Sequence, residues 1–462
     1  MTNTIAKSRE LSAFVVEETT KGTLAYPTAA SEMLVLTEQP TLKQQPTFTD
    51  SKEINDTLDT TDRFQDQIGA GQFTFDFYNR PSGVAGDVPM GDILFESLQG
   101  GSTVSGGVSC TYDQSKIKKP FSAWFKQGHT VYHASGGCAE TLKMALSNKG
   151  AFECNFGGGF MKKGWAGTDS ANGATANGEG SLYVVDKSEG YAEGDTTITL
   201  GTGSGSILEG DIVLFADDST EYYIATGNTE PGDIVLRAPG LTAALANTKA
   251  MTIIGNSKVT VTNGKLFTEN SLVEIATAVE ATANNSNEGY RILLINGNKL
   301  FFAEAITCLD EAVVKGFLPI GLTAIGAPVE SKNNTISFDG VTKVLKTLTI
   351  DISSPVEWQN EEINASGYVE AYVESMRSIK VTAEALFREQ DLHFLHDALN
   401  NKQIVIAAVM DGGAGKTCTI NLPYTELEEP SESAGENTVS LSLSGVCLGA
   451  AAGENSSTIV FT

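Results

Sequence analysis

Twice along this chain an alternating apolar segment runs into a short amphipathic one. That recurrence limits the possible folds more than any single motif does. Over residues 71–78, Phe73, Phe75 and Phe77 fall on one side of an extended backbone, with Thr74, Asp76 and Tyr78 on the other, the period-2 signature of a half-buried strand. Asn79-Arg80-Pro81-Ser82-Gly83 breaks it. The pattern then predicts a helix over 89–99: Pro89 suits its first turn, Met90, Ile93, Leu94 and Leu98 make an apolar stripe, and Gly100-Gly101 stop it. Over 367–374, Val369, Ala371 and Val373 alternate with Tyr368, Glu370, Tyr372 and Glu374. A further strand is predicted at 379–387, and a helix over 390–400 carries Leu392, Leu395 and Leu399 on one face.

The flanks match in kind. Strand-like stretches precede both copies, at 33–49 and 334–352, followed by DSKEINDTLDTTDRFQDQ in one and SSPVEWQNEE in the other. After each helix come extended segments ending in KGAFECNFGGGF or NTVSLSLSGVCLG. The order predicts a structural duplication with weak sequence identity between its copies.

Between the copies the texture changes. TDSANGATANGEGS (168–181) reads as a polar linker. Short strands then follow at 181–185, 196–200, 211–216, 221–226, 233–237 and 251–254, separated by turns such as Glu209-Gly210-Asp211 and Pro231-Gly232-Asp233. Six strands at this spacing predict a small β-barrel or sandwich. Residues 257–327 contain a predicted hairpin at 291–303, turning at Asn296-Gly297, and a helical turn at 309–317. The expected organisation is a first repeat at 1–180, an inserted β-domain at 181–256, a connecting β-rich region at 257–327 and a second repeat at 328–462. Gly, at 47 of 462 residues against only 13 Pro, fits a mainly β chain with many turns.

With 31 basic and 57 acidic residues the net charge is −26. Gripping a nucleic acid takes clustered Lys and Arg, so tight binding of a polyphosphate is not expected, and neither is binding to an anionic membrane. The N-terminal MTNTIAKSRE has no apolar core of a secretory signal. Cys110, Cys138, Cys154, Cys308, Cys418 and Cys447 are scattered and read as reduced core thiols.

No catalytic signature emerges. DGGAGKT (411–417) lacks the first glycine of a phosphate-binding loop, which would fall at Met410, and the CTINLPY after it alternates like a strand. His129 and His133 lie in an extended segment, and His393 and His396 sit on the second helix; neither pair reads as a metal centre. Gly201–Ser206 is a Gly/Ser loop rather than a nucleophile turn. The chain reads as a non-enzyme with no cofactor and no metal.

The acidic segment 50–67 is more telling. Asp50, Glu53, Asp56, Asp59, Asp62 and Asp66 accompany only Lys52 and Arg63. A long polar loop in a β-scaffold suits docking onto a neighbouring subunit.

These residues bring a family into view. The order LTEQPTLKQQPTFTDSKEINDTLD, GQFTFDFYNRPSG and PMGDILFESLQGG, repeated as NTISFDGVTKVLKTLTIDISSPVEWQNEEI, ASGYVEAYVES and the helix ahead of QIVIAAVMDG, resembles the tail tube proteins of long-tailed (siphovirus-type) bacteriophages. The resemblance covers about 1–165 and 330–462. It implies a duplicated tail-tube β-sandwich or barrel, each copy with a short flanking helix, plus an inserted exterior β-domain. It also implies rings that stack into the hollow virion tail tube through which the genome leaves. Two copies per chain imply a homotrimer with pseudo-sixfold symmetry in place of a hexamer.

The implied partners are further copies of the chain, a tape measure protein in the lumen, the tail terminator and distal tail proteins, and passing double-stranded DNA that is not held tightly. The loop bearing Asp50, Glu53, Asp56, Asp59, Asp62, Arg63 and Asp66 would meet the adjacent ring, seeking Lys or Arg across the interface. Glu357, Trp358, Glu361 and Glu362 would form its shorter counterpart. The competing classes are another virion surface or decoration protein, a capsid subunit, an adhesin-type β-protein and an acidic hydrolase.

Overall fold

The computed structural model describes residues 11–53, 62–115, 117–147, 149–172, 182–203, 206–228, 232–276, 289–303, 306, 312–321, 326–360, 366–434, 438–449 and 456–462. The chain is mainly β, with two α-helices among these residues. It divides into two compact units. The smaller holds Lys126–Tyr132 and Gly164–Pro319, and the larger holds Ser8–Phe125, His133–Lys163 and Ile320–Thr462. The boundaries thus fall at 163/164 and 319/320 rather than at 180/181 and 327/328.

The smaller unit contains two closed six-stranded barrels. One is built from Leu182–Val185, Thr197–Gly203, Asp211–Phe215, Tyr222–Thr226, Asp233–Leu236 and Ala250–Asn256. Inward alternation along these strands gives it a core that includes Tyr183, Ile198, Phe215, Ile224 and Met251. The other joins Thr168–Asn172 to Lys258–Val261, Leu272–Ala276, Tyr290–Asn296, Lys299–Phe302 and Val313–Gly316.

Two expectations are corrected here. Thr168–Asn172 is a strand and not a linker, because it pairs with both Lys258–Val261 and Val313–Gly316 and so closes the barrel. Val313–Gly316 is a strand and not a helical turn, as its adjacent β-branched valines favour. The hairpin turn also sits one residue later than expected. Asn296 pairs with Lys299, leaving Gly297-Asn298 as the two-residue loop, with Gly297 at φ 61°.

The larger unit is organised by an eight-stranded antiparallel sheet. Its strands are β1 (Thr41–Lys43), β2 (Gly71–Tyr78), β3 (Thr130–Ser147, through its Thr141–Ser147 stretch), β4 (Glu153–Phe160), β5 (Leu345–Ser353), β6 (Ser378–Leu386), β7 (Ser431–Ala434) and β8 (Val439–Cys447). Pairing sets the order β1-β2-β4-β3-β5-β6-β8-β7. The two halves of this order repeat one another. In each, a first strand pairs with a second across a hairpin, the second pairs with a return strand, and that strand pairs with the one before it. Helix α1 (Asp92–Gln99) follows β2, and α2 (His393–Leu399) follows β6.

The repeat therefore matches β2 with β6, not with 367–374. In that segment only Tyr372–Glu374 is a strand, and it pairs with Val356–Trp358 as a separate hairpin. Val369 and Tyr372 are its buried residues, whereas Val373 is 54% exposed.

The core lies on one face of the sheet. Phe73, Phe75 and Phe77 point into it as the alternation requires, each no more than 1% exposed. Phe77 stacks on Phe156 at 5.5 Å, and Phe95 of α1 meets Phe156 edge-on at 5.1 Å. A fully buried Phe contributes roughly 1.5–3 kcal/mol. Gly100 ends α1 at φ 101°, its N–H donating to the Glu96 carbonyl; a Cβ there would collide with Ser115 and the Ile117 carbonyl.

Candidate assembly interface

The sheet's other face is open, and its composition is narrow. Cross-strand rows run Thr41–Thr74–Gly157–Thr141–Ser353–Ser378 and Tyr78–Glu153–Ala145–Thr349–Thr382–Ser444. Between them lies Asp76–Asn155–Lys143–Asp351–Lys380–Val446, in which Lys143, Asp351 and Lys380 alternate in charge. The Asn155 side-chain amide donates to Asp76 at 2.9 Å. Hydroxyls and interleaved charges thus cover this face, and the acid excess of the whole chain does not collect on it. Opposite charges directly across a ladder stabilise the pairing and cancel the local field.

This row of strands ends in two short ones, and next to β7 the strand Thr417–Leu427 also pairs with β8, Thr425–Leu427 against Gly445–Cys447. Among the described residues neither β1 nor β7 has a second strand partner, and every residue of β7 is exposed. Such edges are templates for another strand. Inside the chain, the junction between the halves shows how this surface closes. β3 and β5 pair in register from Thr141↔Ser353 to Ser147↔Thr347. Buried Lys118 donates to the carbonyls of Ala139 (2.7 Å) and Ser354. Arg377 donates to the Ser115 carbonyl and to Ser354 Oγ (3.1 Å).

The acidic segment forms a small hairpin, Phe48–Asp50 with Arg63–Gln65, between β1 and β2. Its acids have partners within the hairpin. Asp50 pairs with Arg63 at 3.0 Å, Asp66 accepts from Thr49 Oγ1 at 2.8 Å, and Asp62 accepts from the Arg63 N–H at 2.8 Å. Glu53 is exposed, and Asp56 and Asp59 lie outside the described residues. Every strand residue of this hairpin is exposed, two aromatic ones included: Phe48 and Phe64 are 46% and 53% exposed. The alternation of TFTD and RFQD signals these residues, but their exposure depends on the hairpin standing apart from the core.

In the second hairpin Glu357 is exposed, while Glu361 and Glu362 lie outside the described residues. Trp358 is not a projecting contact. It packs against Cys138, Met161, Val356 and Tyr372, and its indole N–H donates to Glu140 at 3.1 Å. The roots of the two hairpins meet, with the Ile68 N–H bonded to the Gly367 carbonyl and Gln67 Nε2 to the Tyr368 carbonyl.

No family model matches the chain, and no curated protein matches it.

The remaining chemical motifs take structural places. The 411–417 motif is a hairpin turn between Gln403–Asp411 and Thr417–Leu427, with Asp411 paired to Thr417. His133 is buried against Trp124 at 4.7 Å, and burial pushes its pKa down to about 3. Burial raises the thiols of Cys138, Cys418 and Cys447 to between about 11 and about 12, unsuited to nucleophilic work. Cys308 lies outside the described residues.

A buried acidic pair stands at the start of α1. Glu32 accepts from the Gly91 N–H at 3.3 Å, and Asp92 accepts from the Tyr112 hydroxyl. Burial raises Glu32 to about 7 and Asp92 to about 6; the Asp92 charge adds to the shift of Glu32, and Glu96 and Glu17 add to that of Asp92.

Proposed function

We propose that this chain is a structural subunit of a hollow tube, of the kind found in the tails of long-tailed bacteriophages. The supporting observation is the eight-stranded sheet: two equivalent four-strand halves, paired β3 to β5 inside the chain, with β1 and β7 left as unpartnered edges. An antiparallel β7-to-β1 contact between copies repeats the internal β3-to-β5 contact. Repeated head to tail it closes a ring if the rotation divides a full turn. Two halves per chain make three chains a pseudo-sixfold ring.

The open face then becomes the inner wall. Hydroxyls and alternating charges there offer a passing polyanion no cluster of bases to hold it. The first hairpin serves as the contact for the next ring, with Phe48 and Phe64 supplying apolar surface. In this reading a virion tail houses the protein, a tape measure protein occupies its lumen during assembly, and terminator and distal tail proteins cap its ends.

Negative-stain electron microscopy of the concentrated chain tests the reading. Hollow filaments with regular axial striation are expected, with three subunits per ring in end views. A chain that stays monodisperse and monomeric over a wide range of salt and concentration refutes it, and returns the case to a decoration or adhesin role.

A further inference from the structure

The two helices occupy equivalent places in the two halves but not equivalent surroundings. In α1, Leu94, Phe95 and Leu98 are each no more than 1% exposed. Along α2 and the helical turn Glu389–Leu392 that leads into it, the leucine stripe faces outward, with Leu392, Leu395 and Leu399 at 53%, 37% and 70%. Only Phe394 and Asp397 of that helix are buried, and Phe394 meets Phe338 at 5.5 Å. Three leucines at i, i+3 and i+7 hold apolar surface in water that a partner could remove.

The first half shows what is missing. Part of the cover over α1 comes from its own half, through Tyr112 of the hairpin Thr103–Ser105 and Ser109–Asp113. The rest comes from the second half. The strand Thr458–Phe461 pairs with Ser109–Asp113 and sets Phe461 against Phe95 at 5.6 Å, while Gln99 of α1 bonds Ser457 and Arg377 reaches the Gln99 carbonyl. Between α2 and its following strand, Gln403–Asp411, only residues 400–402 intervene. Among the described residues the second half has no such hairpin over α2. The bare stripe belongs to the half that ends in the open edge β7.

Building on the tube reading, we propose that the leucine stripe Leu392, Leu395 and Leu399 on α2 is the seat for the first half of a second copy of this chain. That contact supplies between chains the cover that the second half gives α1 within the chain. It accompanies the β7-to-β1 strand contact and buries apolar surface where the short edges, three and four residues long, offer few hydrogen bonds. Each leucine buried strengthens association about tenfold or more.

Hydroxyl-radical footprinting of the unmodified chain, as dilute monomer and as assembled rings or tubes, reads the seat directly. Oxidation at Leu392, Leu395 and Leu399 is expected to fall several-fold on assembly. Sedimentation of the Leu395→Glu/Leu399→Glu variant is expected to show a folded monomer, with unchanged far-UV circular dichroism, at concentrations where the parent chain assembles. Assembly of the parent with undiminished oxidation of the stripe overturns the proposal while leaving the tube reading intact, as does a double variant that assembles like the parent. A parent chain that never associates overturns both.

Discussion

Set side by side, the two halves of the larger unit show how one layout meets two environments. In the first half the helix is covered from both sides, partly by its own half and partly by the second. A hairpin after α1, a strand returned from the chain's far end and the clamps Lys118 and Arg377 leave six of the helix's eight residues buried, Leu94 to Gln99. The second half has the same strands in the same order, yet its helix keeps its leucines in water. The difference teaches that helix burial here is decided by what lies next in the assembly of halves. The periodicity of the helix itself does not decide it, because both helices are amphipathic.

Substitutions at matched places test this contrast most sharply. Leu98→Ala should cost about 2–5 kcal/mol in urea unfolding, because it opens a cavity in a closed core, whereas Leu399→Ala should change monomer stability by no more than about 0.5 kcal/mol. Equal costs would erase the contrast. Lys118→Met comes next: it leaves the carbonyls of Ala139 and Ser354 without their buried donor and should destabilise by about 1–3 kcal/mol. Its effect should appear as faster hydrogen exchange along the β3–β5 junction.

The buried acids at α1 give a pH dependence with a definite sign. Burial lifts Glu32 from 4.5 to about 7, so the folded chain holds a proton that the unfolded chain releases. The stability that this proton supplies is fully present below about pH 4.5 and is lost as pH rises towards 7, with Asp92 acting in the same direction. Glu32→Gln should flatten this slope and raise stability at pH 8 by about 1–2 kcal/mol. A slope unchanged by Glu32→Gln would count against the assignment. The smallest effect is expected at the acidic hairpin. Asp50 and Arg63 are both more than 60% exposed, so Asp50→Asn should shift stability by less than about 1 kcal/mol, less still at high salt.

Much of the candidate interface was legible in part. Alternation placed β2 at 71–78, and the six strands at 181–256 anticipated a barrel. The acidic run marked a long polar loop between two strands, which the structure shows to carry a small hairpin. What the run did not reveal is that Asp50, Asp62 and Asp66 have partners inside the hairpin, and that Phe48 and Phe64 are exposed beside them. Charge counts along a sequence do not say which charges neutralise one another, because that depends on cross-strand register. Composition is equally silent on Trp358, which is half-buried against Cys138 and Met161.

The sequence by itself determined the periods. It set where the backbone is extended, where glycine stops a helix, and that the chain is mainly β with a repeated strand–helix order. Those properties arise from side chains a few residues apart. Tertiary structure alone decided which strand answers to which, so that β6 and not 367–374 repeats β2, and that Thr168–Asn172 closes a barrel. It also decided that one leucine stripe is core while its counterpart is surface. Each of these turns on a partner far away in the chain, such as Phe461 against Phe95 or Lys118 against Ser354. Local periodicity carries no information about which distant surface arrives to cover a face.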